Sequence, residues 1–185
     1  ALWHRLLISE NHRTAFATYR EFTVALEESL ETAMKVLGVP GTREDVKHML
    51  DLWDAVPPFT DTVAALSDQQ ELARILIFSN VETRYLEMMA AKMVDFTPDF
   101  MGSMEQARCC KPSPRAYHWV LDRNGLTVDE VIYCAGPQWD VQGAHALGMR
   151  AVWLNRTSEP VDGIAVDWEV ADLHGVTEIL SGLPA

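Results

Sequence analysis

A chain of 185 residues is long enough for one sizeable core with a smaller appendage. Hydrophobic residues make up 48% and charged residues 23%, the balance of a folded globular protein and not of a disordered one. The net charge of −12 argues against a nucleic-acid partner, whose phosphates need a basic face, and no apolar run approaches the ~20 residues that span a bilayer.

The first residues, Ala1-Leu2-Trp3-His4-Arg5, lack the layout of a secretory signal. The three cysteines, Cys109, Cys110 and Cys134, are odd in number and two are adjacent, which is poor disulfide material. A reducing, cytoplasmic setting is therefore expected, with the thiols packed as small hydrophobes. Their spacing matches no zinc pattern.

Residues 12–37 read as one long amphipathic helix. Phe16, Tyr19, Phe22, Leu26, Leu30, Ala33 and Leu37 recur at steps of three and four. Gly38 and Pro40 stop it. A second helix is expected from Thr42, with Asp45 three residues on in a variant capping box, and with Val46, Met49, Leu50 and Trp53 on its apolar face. Pro57-Pro58 breaks it. The pattern then changes. Residues 73–78 form a short apolar run of strand length, and similar runs lie at 98–102, 129–134, 150–154 and 164–168. Helical stretches at 82–93, 113–124 and 139–147 separate them. Strands alternating with helices predict a parallel sheet with crossover helices. The chain thus divides into a helical part, 1–56, and an α/β part, 57–185.

Three places can carry chemistry. Ser79-Asn80 follows the strongest strand, where a parallel sheet binds ligands and a helix start offers free N–H groups; Asn80 can equally be a plain helix cap. Lys111, ahead of Pro112 and Pro114, can reach into a strand-end cleft or lie solvated on the surface. Tyr117, six residues after it, suits a pocket or a core. Gln138-Trp139-Asp140 follows Val131-Ile132-Tyr133. Asp140 favours a helix start by ~0.3–1 kcal/mol whatever its function, or it is a carboxylate at the cleft. The six histidines show no metal-ligand spacing and read as structural or surface residues. No nucleophile elbow, Walker loop or dinucleotide fingerprint is present.

Taken in order, Ile75-Leu76-Ile77-Phe78-Ser79-Asn80, Lys111-Pro112 with Tyr117, and Gln138-Trp139-Asp140 resemble the second, third and fourth motifs of the haloacid dehalogenase superfamily. The nearest branch is that of the 2-haloacid dehalogenases. Leu2-Trp3-His4-Arg5 is similar to the start of that branch's helical cap, Pro58-Phe59-Thr60-Asp61 to its return into the core, and the segment from Ala144 to Asn155-Arg156 to its helix-Gly-strand unit. The resemblance implies a Rossmannoid parallel-sheet core at 57–185 with an N-terminal helical cap at 1–56. By position, Ser79 would bind the substrate carboxylate, Asn80 the departing halide, and Lys111 the nucleophile. Tyr117 and Trp139 would line the pocket, and Asp140 would position the hydrolytic water. A single acid in the fourth motif implies the metal-independent branch, with no cofactor.

The family's first motif, a strand ending in the nucleophilic aspartate, would lie before Ala1, so the first core strand is missing from this stretch. Asp99-Phe100-Met101-Gly102-Ser103-Met104 imitates that motif, but its place between Ser79 and Lys111 matches the family's third strand. Ala135 and Pro137 replace polar residues of the fourth motif. Without the first strand, the strands at 73–78 and 129–134 are expected to pair directly, or a segment of another molecule to fill the gap. Three readings follow. The chain is a dehalogenase-like protein without its nucleophile; or a non-hydrolytic enzyme, such as an isomerase, cyclase or lyase, reusing the pocket; or an interaction protein that forms a homodimer through the cap helix. The expected ligand is a small molecule bearing a carboxylate.

Overall fold

The computed structural model describes residues 2–16, 18–160, 163 and 165–183, with side chains throughout that set except at positions 11, 14–16, 43, 49, 50, 53 and 54. The side chains of Phe16, Met49, Leu50 and Trp53, named in the stripes above, lie outside the described residues.

The helix predicted over 12–37 is two helices, α1 (Leu2–Phe16) and α2 (Phe22–Leu37). The apolar rhythm runs through the break because Tyr19 and Phe22 are both buried on either side of the turn. The backbone nonetheless leaves helical space at Glu21, with φ −60° and ψ 137°. α1 then folds back along α2: Trp3 Nε1 donates to Ser29 Oγ at 3.2 Å. One straight helix would hold residues 26 apart in sequence at about 39 Å. Gly38, at φ 64°, closes α2 in the left-handed conformation that glycine adopts without strain, and Val39 N–H donates to Met34 O. α3 (Arg43–Asp51) begins as expected. Thr42 N–H donates to Asp45 Oδ2 at 2.7 Å and Asp45 N–H to Thr42 Oγ1 at 3.2 Å.

From residue 62 the elements run α4 (Thr62–Gln70), β1 (Leu76–Ser79), α5 (Thr83–Ala90), β2 (Phe100–Ser103), α6 (Met104–Ala107) and α7 (Pro114–Asn124). They continue with β3 (Ile132–Ala135), α8 (Gln138–His145), β4 (Arg150–Leu154), β5 (Trp168–Val170) and α9 (Leu173–Ser181). Every described strand pair is parallel, as the alternation of strands and helices predicts. β1 starts later than its apolar run because the Ile75 N–H is taken by the Asp99 side chain at 2.7 Å. That carboxylate also accepts from Gln70 and is held below the usual carboxylate range by these bonds. The imitation of the first motif is thus a support at the amino end of β1 and β2, away from the site.

The expectation of direct pairing between the strands at 73–78 and 129–134 is corrected. The strands fall into two sheets, β1-β2 and β3-β4-β5, and no ladder joins β1 to β3. Side chains cross the seam instead. The Phe78 ring lies 5.6 Å from that of Tyr133 and 6.0 Å from that of Tyr117. Lys111 Nζ donates to Phe78 O at 3.4 Å, occupying a carbonyl that a neighbouring strand would otherwise use.

Leu7, Phe22, Ala25 and Leu26 pack with Val81 and Leu86, so the helical start and the first βα unit share one apolar cluster. Two segments singled out in the sequence also meet. Arg156 donates to Asp61 at 2.8 Å and its guanidinium lies 4.2 Å above the Phe59 ring.

Candidate functional site

β3 ends and α8 begins within five residues, which brings Asp140 into the first turn of α8 at the carboxyl end of the strands. Lys111 reaches it from the loop between α6 and α7. Lys111 Nζ lies 2.7 Å from Asp140 Oδ2, with side chains 10% and 4% exposed, and this exposure makes the pair a buried one. Tyr117 OH donates to Asp140 Oδ1 at 2.7 Å and Tyr133 OH to the same oxygen at 2.8 Å. Lys111 Nζ donates a further bond to the Tyr133 oxygen at 3.0 Å and stands 4.5 Å from the Phe78 ring centroid. Isolated charges in such a place are costly; here the carboxylate is met by a cation and two hydroxyls. Burial, then the Asp140 charge, pushes both phenols well above the ordinary tyrosine range, so they stay protonated and donate.

The neighbours explain the geometry. Asn80, buried, grips the backbone of Lys111 at two points: Lys111 N–H donates to Asn80 Oδ1 at 2.8 Å, and Asn80 Nδ2 donates to Lys111 O at 3.1 Å. Its second amide N–H is left over. Ser79 is the last residue of β1, one position beyond the Phe78 carbonyl that Lys111 contacts. Gly143 permits the close approach of α7 to α8, since a Cβ there would fall 2.5 Å from the Tyr117 hydroxyl and 3.1 Å from Pro112 Cβ. Pro137 stands at the start of α8 with no side-chain cap. Burial pushes the Cys134 thiol, on β3, up to about 11, and burial, then Cys109 and Glu82, pushes Cys110 up to about 12.

Of the residues named from sequence, Lys111, Asp140 and Tyr117 form one cluster and Asn80 holds it from behind. Trp139 is not among the hydrogen-bonded members of the cluster and lies edge-on to His12 of α1, with ring centroids 5.3 Å apart and planes at 81°. Three residues were missed. Tyr133 reads as an ordinary strand aromatic. His12 reads as a structural or surface histidine, with nothing to single it out from the other five. Glu82 does not stand out at the start of the helical stretch 82–93, yet its buried carboxylate accepts from Thr23 N–H at 2.9 Å and from the Thr23 hydroxyl at 2.5 Å, capping α2 from outside. Glu21, at the start of α2, makes no side-chain cap of its own, which is the one signal that a donor set was waiting. Among the described residues no group of three or more His, Cys, Asp or Glu is placed to hold a metal ion. None of the described helices is long and apolar enough to cross a membrane. A cavity of about 340 Å³ lies among Asn155, Ser158, Glu159 and Glu169, outside the Lys111–Asp140 cluster.

No protein-family model matches the chain. It is 29% identical over 152 residues to (S)-2-haloacid dehalogenase 1 of Pseudomonas sp. (strain CBS-3), a match that covers 80% of this chain and 66% of that protein. It is therefore aligned to slightly less than two thirds of that relative's length. A crystal structure of an L-2-haloacid dehalogenase matches with a TM-score of 0.90 at 20% identity, over 98% of this chain and 84% of the other. The L-2-haloacid dehalogenase of Xanthobacter autotrophicus, solved with chloropropionic acid covalently bound, matches with a TM-score of 0.88 at 20% identity, over 99% and 85%.

Proposed function

The chain is haloacid-dehalogenase-like, of the 2-haloacid dehalogenase-like branch, and from that premise we propose that residues 1–185 carry one half of a metal-independent, dehalogenase-type site. The half present is Lys111, Asp140 and their tyrosines. The half not found among these residues is the nucleophilic carboxylate, which in this mechanism displaces halide from C2 and forms an ester that water then cleaves. The observation that carries the reading is the placement of Lys111. Its ammonium sits 2.7 Å from Asp140 and 3.4 Å from the Phe78 carbonyl, at the seam between β1 and β3, where an aspartate at the end of an intervening strand would meet it.

The remaining roles follow by position. Ser79 at the end of β1 takes the substrate carboxylate. Asn80 keeps the Lys111 loop in place and has one amide N–H left for the departing halide. Tyr117 and Trp139 wall the pocket, and Asp140 orients the attacking water. Residues 1–56 act as a helical cap over the α/β core, 57–185. Val36, Leu37 and Val39, exposed at the end of α2, support association of two copies through the cap.

The test is chloride release from L-2-chloropropionate by the 185-residue protein. Loss of a covalent nucleophile costs ~10⁴–10⁶ in rate, so release at the buffer background is expected. Turnover within tenfold of an intact 2-haloacid dehalogenase would refute the proposal.

A further inference from the structure

Each residue of the turn from Asn80 to Thr83, between β1 and α5, holds a different part of the chain. Asn80 grips the backbone of Lys111 at 2.8 and 3.1 Å. Val81 O accepts from the Ser103 hydroxyl, at the end of β2, at 2.6 Å. Glu82 accepts from Thr23 N–H at 2.9 Å and from its hydroxyl at 2.5 Å. The Thr83 N–H and hydroxyl donate to Glu105 at 3.0 and 2.8 Å. A second link runs outside the turn. The Arg108 guanidinium, at the end of α6 and on the way to Lys111, lies 4.6 Å from the ring centroid of Tyr19, just ahead of α2. The amino end of α2 therefore reaches the Lys111 loop by two routes, through Glu82 with Asn80 and through Arg108. Contiguous bonds of this kind carry coupling when the element that joins them has two arrangements.

The α2 contact meets that condition. Glu82 Oε2 and the Tyr19 hydroxyl are both closed off from solvent without a hydrogen-bond partner. Burying polar atoms unmet is unfavourable, and parting the surfaces would give both to water. Against this, Phe22, Ala25 and Leu26 pack with Val81 and Leu86. Apolar burial holds the contact shut while two polar atoms favour its release, the balance expected of a segment that opens short of unfolding.

We propose that Glu82 is a positioning residue for Lys111: the amino end of α2 docks on Glu82 and releases from it as one unit, and the hold on the Lys111 backbone tightens and loosens with it. This deepens the reading of Lys111 as part of the site, and rests on that reading only for what the movement does to a reaction.

The experiment is amide hydrogen exchange of the 185-residue protein, read residue by residue by NMR at Thr23, at Lys111 and along β4. Thr23 and Lys111 are expected to share one opening equilibrium, with protection below that of β4. Glu82→Ala removes the acceptor for Thr23 and leaves the Asn80–Lys111 bonds in place, yet it is expected to quicken exchange about tenfold at both amides. Tyr19→Phe keeps the ring beneath Arg108 and removes the unmet hydroxyl, so it is expected to slow both about fivefold. Quickening at Thr23 alone in Glu82→Ala would reduce Glu82 to a helix cap and overturn the proposal. Lys111 protected as strongly as β4 would overturn it too, since that amide would then open only with the whole fold. So would exchange that Tyr19→Phe leaves unchanged or speeds, and this variant decides alone if Glu82→Ala does not fold. No haloacid is used in any arm. Coupled opening can therefore stand if the dehalogenase-type reading falls, and that reading can stand if the coupling is absent.

Discussion

Asp140 is almost closed off from water, and what it costs to keep it there is set by three donors on three different elements. Removing the cation alone leaves a buried carboxylate without a counter-charge, so Lys111→Met is expected to destabilise the fold by about 3–5 kcal/mol in urea denaturation. The double variant Lys111→Met with Asp140→Leu is expected to recover part of that loss, because no lone charge remains. The hydroxyls and thiols around the pair set the alkaline limit. Tyr117, Tyr133, Cys110 and Cys134 all have folded-state values raised by burial. Such groups contribute stability that is complete below their unfolded values, ~8.5 for cysteine and ~10 for tyrosine, and that is lost as the pH rises toward their folded ones. Unfolding free energy is therefore expected to be level near pH 7–8 and to decline above about pH 9, which denaturation at a series of pH values would measure. Lys111, Asp140 and Tyr117 were legible because a charge, an acid and an aromatic recur at a known order along the chain. Tyr133 was not, because a tyrosine inside a buried strand carries no sign of which way its hydroxyl turns.

Among the elements, the crossover helices and parallel strands were readable from their apolar runs, and β4 coincides with the predicted 150–154. The break between α1 and α2 was not readable. An apolar rhythm reports which residues are buried and stays silent on whether the backbone turns between them. α4 and α9 escaped for a related reason. α4 buries only Ala65 and Gln69, too little to make a stripe, and α9 is announced mainly by Asp172, whose side chain accepts from Gly175 N–H at 3.1 Å. Glu82 shows how a helix can be capped by a residue 59 positions away. Truncating it in Glu82→Ala is expected to cost about 1–2 kcal/mol, the worth of a good cap. Hydrogen exchange should quicken at the amides of the first turn of α2 and leave its last turn unaffected.

At the scale of the whole molecule, the described strands form two sheets that touch through rings and one ammonium, with no strand ladder between them. Among the described strands β4 alone has a neighbour on each side. Its amides are expected to be the slowest to exchange with deuterium, and those of β1 and β3 faster, by an amount that reports how readily the seam opens. The order of the motifs foretold which elements gather at the carboxyl ends of the strands. It did not foretell the seam, because strand runs in a sequence announce that strands exist and leave open which edges find each other.

The bare backbone at Gly143 has a wider consequence. Nothing in its position suggests that it meets a ligand, yet a single methyl there would collide with the Tyr117 hydroxyl. Position 143 therefore works as a wedge point: substituting alanine would prise α7 from α8 and loosen the hold on Asp140 while every chemically active side chain stayed unaltered. The smallest residue in the neighbourhood thus governs the tolerance to which the larger ones are set.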